Sequence, residues 1–63
     1  MNKTLLYIAD SISEIYGKDI EEAKAIVINS SLPELLEEIP DFIQHYDADY
    51  WAKEIMESIR TSV

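Results

Sequence analysis

The residues best suited to chemistry lie between positions 41 and 49, where one histidine stands among aspartates. His45 is the only histidine, and Asp41, Asp47 and Asp49 flank it. Zinc sites normally take three or four protein ligands in which histidine or cysteine is prominent, and the chain has no cysteine. A calcium loop needs a glycine that this segment lacks. We therefore expect no metal site, and we assign the aspartates to capping a helix.

Catalytic motifs are also missing from the sequence. Its six serines share a single histidine, no glycine flanks a serine, and no glycine-rich phosphate loop occurs. A helical bundle of 63 residues offers little concave volume for a substrate. We therefore expect a protein that is not an enzyme, with no catalytic residue and no cofactor.

Aromatic residues are the most distinctive feature of the same segment. Phe42, Tyr46, Tyr50 and Trp51 are four of the six aromatic residues and fall within ten positions, among the acids. Tyrosine and tryptophan are enriched at the energetic centres of protein interfaces, although a small domain also needs large rings in its core. We expect Phe42 and Trp51 to be mainly structural. Tyr46 and Tyr50 are equally compatible with exposure and with burial.

Helical segments must position these residues, and the first is predicted from Thr4 to Tyr16. Gly17, the only glycine, fits the left-handed conformation that ends many helices. Apolar residues recur at spacings of three and four, which places them on one face. The predicted buried face consists of Leu5, Ile8, Ala9, Ile12, Ile15 and Tyr16.

A capping box formed by Asp19 and Glu22 predicts a second helix that ends near Asn29 or Ser30. Ile28 lies off its main apolar stripe, so the helix is apolar around more than half of its girth. Such a helix is usually central to a bundle. The residues predicted to face inward are Ile20, Ala23, Ile26 and Val27.

Ser31 and Glu34 repeat the capping pattern and predict a third helix, with an inward face of Leu32, Leu35, Leu36 and Ile39. Pro40 predicts a break near Glu38 and Ile39. Residues 41–46 are compatible with either a short helical turn or an irregular elbow. A last helix should start after Asp47 or Asp49, with an apolar side formed by Ala48, Ala52, Ile55, Met56 and Ile59.

These segments predict an all-α fold, a compact bundle of three or four short helices in one domain spanning residues 1–63. A chain this short buries only about 60% of its unfolded surface, so its stability should be small. Disulfides are impossible without cysteine, which leaves tight helix packing or association as the means of support. A homodimer is therefore possible.

Charge restricts the class of partner. The formal net charge is −8, and residues 25–52 hold six acids and no lysine or arginine. Nucleic acids and anionic membranes are bound through lysine and arginine, so direct binding to either is not expected. A protein with a basic surface fits this charge better. No run of about 18 apolar residues occurs, and we expect a soluble, cytoplasmic protein.

The order of motifs resembles a family of small bacterial helical domains of unknown function, often encoded beside putative ADP-ribosyltransferase-like toxins. The resemblance covers nearly the whole chain. It is carried by the segments 15–17 (IYG), 19–23 (DIEEA), 32–36 (LPELL) and 47–55 (DADYWAKEI). His45 stands about where that family tends to have a histidine, although the glycine common near it is absent. The resemblance implies a partner-binding, antitoxin-like role.

Together these features predict a protein-binding module with an acidic and aromatic surface around residues 37–50. The predicted partner-binding residues are Glu37, Glu38, Asp41, Phe42, His45, Tyr46 and Tyr50. An alternative is an acidic mimic of nucleic acid that inhibits a DNA- or RNA-binding protein, as phage-encoded inhibitors do. A further alternative is a self-associating structural domain.

Overall fold

Five α-helices form the fold in a computed structural model that describes residues 2–61. They are α1 (Lys3–Tyr16), α2 (Ile20–Ile28), α3 (Leu32–Glu38), α4 (Pro40–His45) and α5 (Ala48–Thr61). No strand occurs between residues 2 and 61, and the all-α prediction is confirmed. The count is five rather than three or four because the segment after Pro40 is a short helix of its own.

The central helix is α1, which packs against both α2 and α5, while α3 contacts α2 and α4. The second helix, which was expected to be central, packs against α1 and α3, and its off-stripe residue Ile28 is exposed. The core takes four residues from α1 and seven from the other helices. Its members are Leu5, Ile8, Ala9, Ile12, Ala23, Val27, Leu32, Ile43, Trp51, Ala52 and Ile55.

Two helix boundaries follow the local signals in the sequence. Gly17 has a φ of 66° directly after α1, which confirms the left-handed stop. Ile39 breaks the chain between α3 and α4 with φ −137° and ψ 63°, and Pro40 occupies the first position of α4, where its missing amide costs nothing. At the start of α1, the Thr4 amide donates a hydrogen bond of 2.8 Å to Asn2 Oδ1.

The two predicted capping boxes are wrong. Neither Asp19 nor Ser31 makes a side-chain cap hydrogen bond. Glu22 lies 4.0 Å from the Lys18 ammonium rather than reaching back to the Asp19 amide. Ser31 has helical backbone angles, whereas a capping side chain works from an extended residue. Ser30 takes its place, because its hydroxyl accepts from the Leu32 amide at 3.2 Å and donates to the Val27 carbonyl.

Several apolar residues that were predicted to be buried are exposed. They lie at helix ends, beyond the stretch where a neighbouring helix covers the surface. They are Ile15 and Tyr16 at the end of α1, Ile39 between α3 and α4, and Ile59 near the end of α5. Helical periodicity identifies a face, but the length of the neighbouring helix decides how much of that face is covered.

Asp47 caps α5, and its removal should destabilise the protein. The Tyr50 amide donates a hydrogen bond of 2.8 Å to Asp47 Oδ1, whereas Asp49 lies inside the first turn. We expect Asp47→Ala to lower stability by about 1 kcal/mol, which is roughly 4–8 °C in Tm for a domain of this size. Asp49→Ala is the matched control and should cost less, because it loses only a helix-dipole interaction. Thermal melts followed by circular dichroism test this, and an equal loss in both variants would contradict the cap assignment.

Candidate functional site

Trp51 anchors the end of α4 to the start of α5. Its side chain is 9% exposed, and its indole Nε1–H donates a hydrogen bond of 2.7 Å to the Ile43 carbonyl oxygen. Ile43 is itself fully buried and is the buried residue of α4. The indole therefore supplies both apolar contact and a polar bond that holds the two helices together. The expected structural role of Trp51 agrees with this position.

Three further rings pack on this indole and on one another. The rings of Tyr46 and Tyr50 are stacked, with centroids 4.3 Å apart and planes 18° apart. Phe42 meets the edge of Tyr46 at 5.7 Å and of Trp51 at 5.9 Å. Both tyrosines also make edge contacts with Trp51, at 5.9 Å and 5.0 Å. We call the exposed rings of Phe42, Tyr46 and Tyr50 the aromatic surface.

The aromatic surface is accessible to solvent. Phe42 is 46% exposed, Tyr46 40% and Tyr50 37%. Phe42 was expected to be mainly structural, and the implied burial of its ring is wrong. A helix of six residues turns few side chains inward, and in α4 the buried side chain is that of Ile43. The sequence left Tyr46 and Tyr50 compatible with either exposure or burial, and both side chains are exposed. The helical state of residues 40–45 brings Phe42 and Tyr46, which are four positions apart, into contact.

The remaining predicted residues are exposed on the same stretch of chain. His45, in the last turn of α4, sets its ring edge-on to Tyr46 with centroids 5.0 Å apart. Asp41 lies in the first turn of α4, and Glu37 and Glu38 close α3 on the other side of the Ile39 break. Phe42, His45, Tyr46 and Tyr50 are thus joined by ring contacts. The three acids add negative charge to the same stretch of chain.

Glu54 belongs to this surface and was missed by the sequence reasoning. Glu54 lies one helical turn beyond Tyr50 on α5, and hydrogen bonding between its carboxylate and the Tyr50 hydroxyl is one of the influences on that phenol. The pKa of the Tyr50 phenol is raised above its usual value of 10.0, first by partial loss of hydration and then by this bond and the negative charge of Glu54. The phenol is therefore a neutral donor at neutral pH. The four-residue spacing from Tyr50 to Glu54 on a helix was the available signal.

The exposed rings and the acids around them suit the binding of a positively charged group. The described residues 2–61 contain no group of three or more histidine, cysteine or acidic residues placed to hold a metal ion. Electron-rich ring faces with carboxylates beside them attract lysine and arginine side chains through cation–π and ionic contacts. The arrangement defines a small all-α protein with an exposed aromatic surface among acidic residues.

Comparison with known proteins does not extend this description. No family model matches the chain, and no curated protein or solved structure shows significant similarity to it. A search of the described helices for a membrane span found none long and apolar enough to cross a bilayer.

Proposed function

We propose that this protein is a non-enzymatic protein-binding module whose aromatic surface binds a basic region of a partner protein. One observation carries the proposal: exposed Tyr46 and Tyr50 stack on each other at 4.3 Å, and both make edge contacts with the almost fully buried Trp51. Side chains that are already ordered before binding lose little entropy on association. Tyrosines held in this way are typical of residues that contribute most of the binding energy at interfaces.

Charge supports a basic partner over an acidic one. Asp47, Asp49 and Glu54 line the surface around Tyr46 and Tyr50 together with one lysine, Lys53, so negative charge prevails there. A guanidinium or ammonium group of the partner would contact a ring face and a carboxylate at once. The same field would accelerate the encounter with a basic surface at low salt.

We propose that this binding serves a regulatory, antitoxin-like role. It rests on the resemblance of the motifs around Gly17, Asp19, Pro33 and Trp51 to the toxin-linked family described above. In that role the module would cover a basic surface on a toxin, and its own contribution would be steric and electrostatic rather than chemical.

The second candidate function is an acidic mimic of nucleic acid, which the net charge of −8 favours. A mimic acts through spaced negative charges, so its affinity should fall steeply with salt. An interface anchored by rings should weaken only mildly as salt increases. The two functions therefore predict different contributions from the tyrosines and the glutamates.

The experiment uses the partner captured from the native host and compares variants by calorimetry. We expect Tyr46→Ala or Tyr50→Ala to weaken binding by about 30-fold, the effect of losing a 2 kcal/mol anchor. Charge reversal at Glu37 or Glu38 should weaken it less. Tyr7→Ala is the matched control, since Tyr7 is an exposed tyrosine on α1 that is not part of the aromatic surface.

Two outcomes would contradict the proposal. If the glutamate reversals abolish binding while both tyrosine changes are silent, the mimic is the better description. If Tyr7→Ala weakens binding as strongly as Tyr46→Ala, the interface lies elsewhere. Circular dichroism of each variant separates loss of binding from loss of folding.

A further inference from the structure

A concave surface lies between α2 and α5, and α3 contributes to its wall. Both α2 and α5 pack on α1, and the space left between them forms a groove of about 580 Å³. That volume is within the range of about 300–1,000 Å³ typical of ligand sites. We call this space the interhelical groove, and its described lining includes Ala25, Ile26, Leu35, Trp51, Ile55 and Glu54.

The groove is apolar inside and acidic at its rim. Ile26, Leu35 and Ile55 pack on or within the core, so their outward surfaces form an apolar lining. Among the described residues that line the groove, the charged ones are Glu22 and Glu54, and none is a lysine or arginine. Lys18 reaches Glu22 only at 4.0 Å on the protein surface, where an ion pair contributes little.

We propose that the interhelical groove binds an amphipathic helix of a partner protein, one that carries lysine or arginine beside its apolar stripe. A groove walled by helices accepts the ridge of side chains of another helix, with apolar residues spaced by three and four as anchors. The carboxylates of Glu22 and Glu54 select positive charge at the edges of that stripe. A second copy of this chain fits less well, because each copy carries a net charge of −8.

This site is distinct from the aromatic surface, although Trp51 and Glu54 contribute to both. One part of the Trp51 side chain contacts Phe42, Tyr46 and Tyr50, and the same residue also lines the groove. It is the only tryptophan of the chain. Amide signals from α2 and α3 distinguish the groove, whereas signals from α4 distinguish the aromatic surface.

The test titrates the ¹⁵N-labelled protein with a synthetic leucine–lysine amphipathic peptide of about 18 residues, long enough to become helical. A leucine–glutamate peptide of the same pattern is the charge control. We expect amide shifts at Ala25, Asn29 and Leu35, and binding of the glutamate peptide at least about tenfold weaker.

A matched pair of variants separates the groove from general attraction between opposite charges. Ala25→Lys places a charged side chain in the groove, whereas Ile28→Lys makes the same charge change on the same helix outside the lining. Both parent residues are exposed, and lysine is a good helix former, so both variants should fold. We expect Ala25→Lys to weaken binding of the lysine peptide by about tenfold, and Ile28→Lys to weaken it by about threefold or less.

Each contrary result has a definite meaning. Equal weakening by the two variants, or no binding of the lysine peptide, would overturn the groove proposal. Shifts confined to residues 42–50 would also overturn it while leaving the proposed function of the aromatic surface intact. Shifts at Ala25 and Asn29 that grow with protein concentration in the absence of peptide would assign the groove to a second copy instead.

Discussion

Replacement of Trp51 with alanine is expected to remove about half or more of the protein's free energy of unfolding at 25 °C. Removing a buried tryptophan costs about 3–5 kcal/mol. A domain of 63 residues has a total stability of roughly 3–9 kcal/mol, at about 0.05–0.15 kcal/mol per residue. The change removes the packing of an indole that is 9% exposed together with its hydrogen bond to Ile43. Urea unfolding followed by circular dichroism at 222 nm measures the loss.

Two further variants serve as controls for Trp51→Ala. Trp51→Phe keeps an apolar ring but removes the donor to the Ile43 carbonyl, and we expect a smaller loss of about 1–3 kcal/mol. Tyr7→Ala removes an exposed ring of α1 and should change stability by no more than about 0.5 kcal/mol. If Trp51→Ala were as stable as Tyr7→Ala, the indole would not be the anchor between α4 and α5.

Truncation of Ile43 should have the second largest effect. Ile43 is 0% exposed and is the buried residue of α4, so Ile43→Ala should destabilise the protein by about 2–5 kcal/mol. Ile39→Ala deletes the same atoms from a residue that is 42% exposed, four positions earlier. We expect the control to lose well under half as much. Denaturant unfolding of the two variants under one set of conditions gives the comparison.

This pair also tests how the aromatic surface is held. Phe42 lies in α4 and Tyr46 directly follows it, and the six residues of α4 are too few to be stable as an isolated helix. Docking of Ile43 therefore keeps their rings in place. Equal losses for Ile39→Ala and Ile43→Ala would mean that α4 is not docked as described, and the ordered ring array would lose its physical basis.

Boundaries set by local backbone chemistry were predictable from the sequence. Gly17 ends α1 because only glycine adopts a positive φ without a side-chain clash, and this holds whatever surrounds it. Pro40 interrupts the chain because it has no amide hydrogen and restricts the residue before it. The helical class follows from apolar spacing in the same local way.

Capping was less predictable, because several polar side chains compete for the same amides. Ser30 rather than Ser31 bonds to the Leu32 amide, and Asp47 rather than Asp49 caps α5. Each candidate had the correct residue type. The choice depended on backbone angles set by how neighbouring helices dock, since a cap requires its side chain to reach one particular amide.

What the sequence determined alone was the helical class, the stops at Gly17 and Pro40, and the concentration of negative charge between residues 25 and 52. Tertiary structure decided which side of each apolar stripe is covered. It buried Trp51 and exposed Phe42, stacked Tyr46 on Tyr50, and left a groove between α2 and α5. The physical reason is that burial depends on where another helix lies, and that position is set by packing of the whole core rather than by local periodicity.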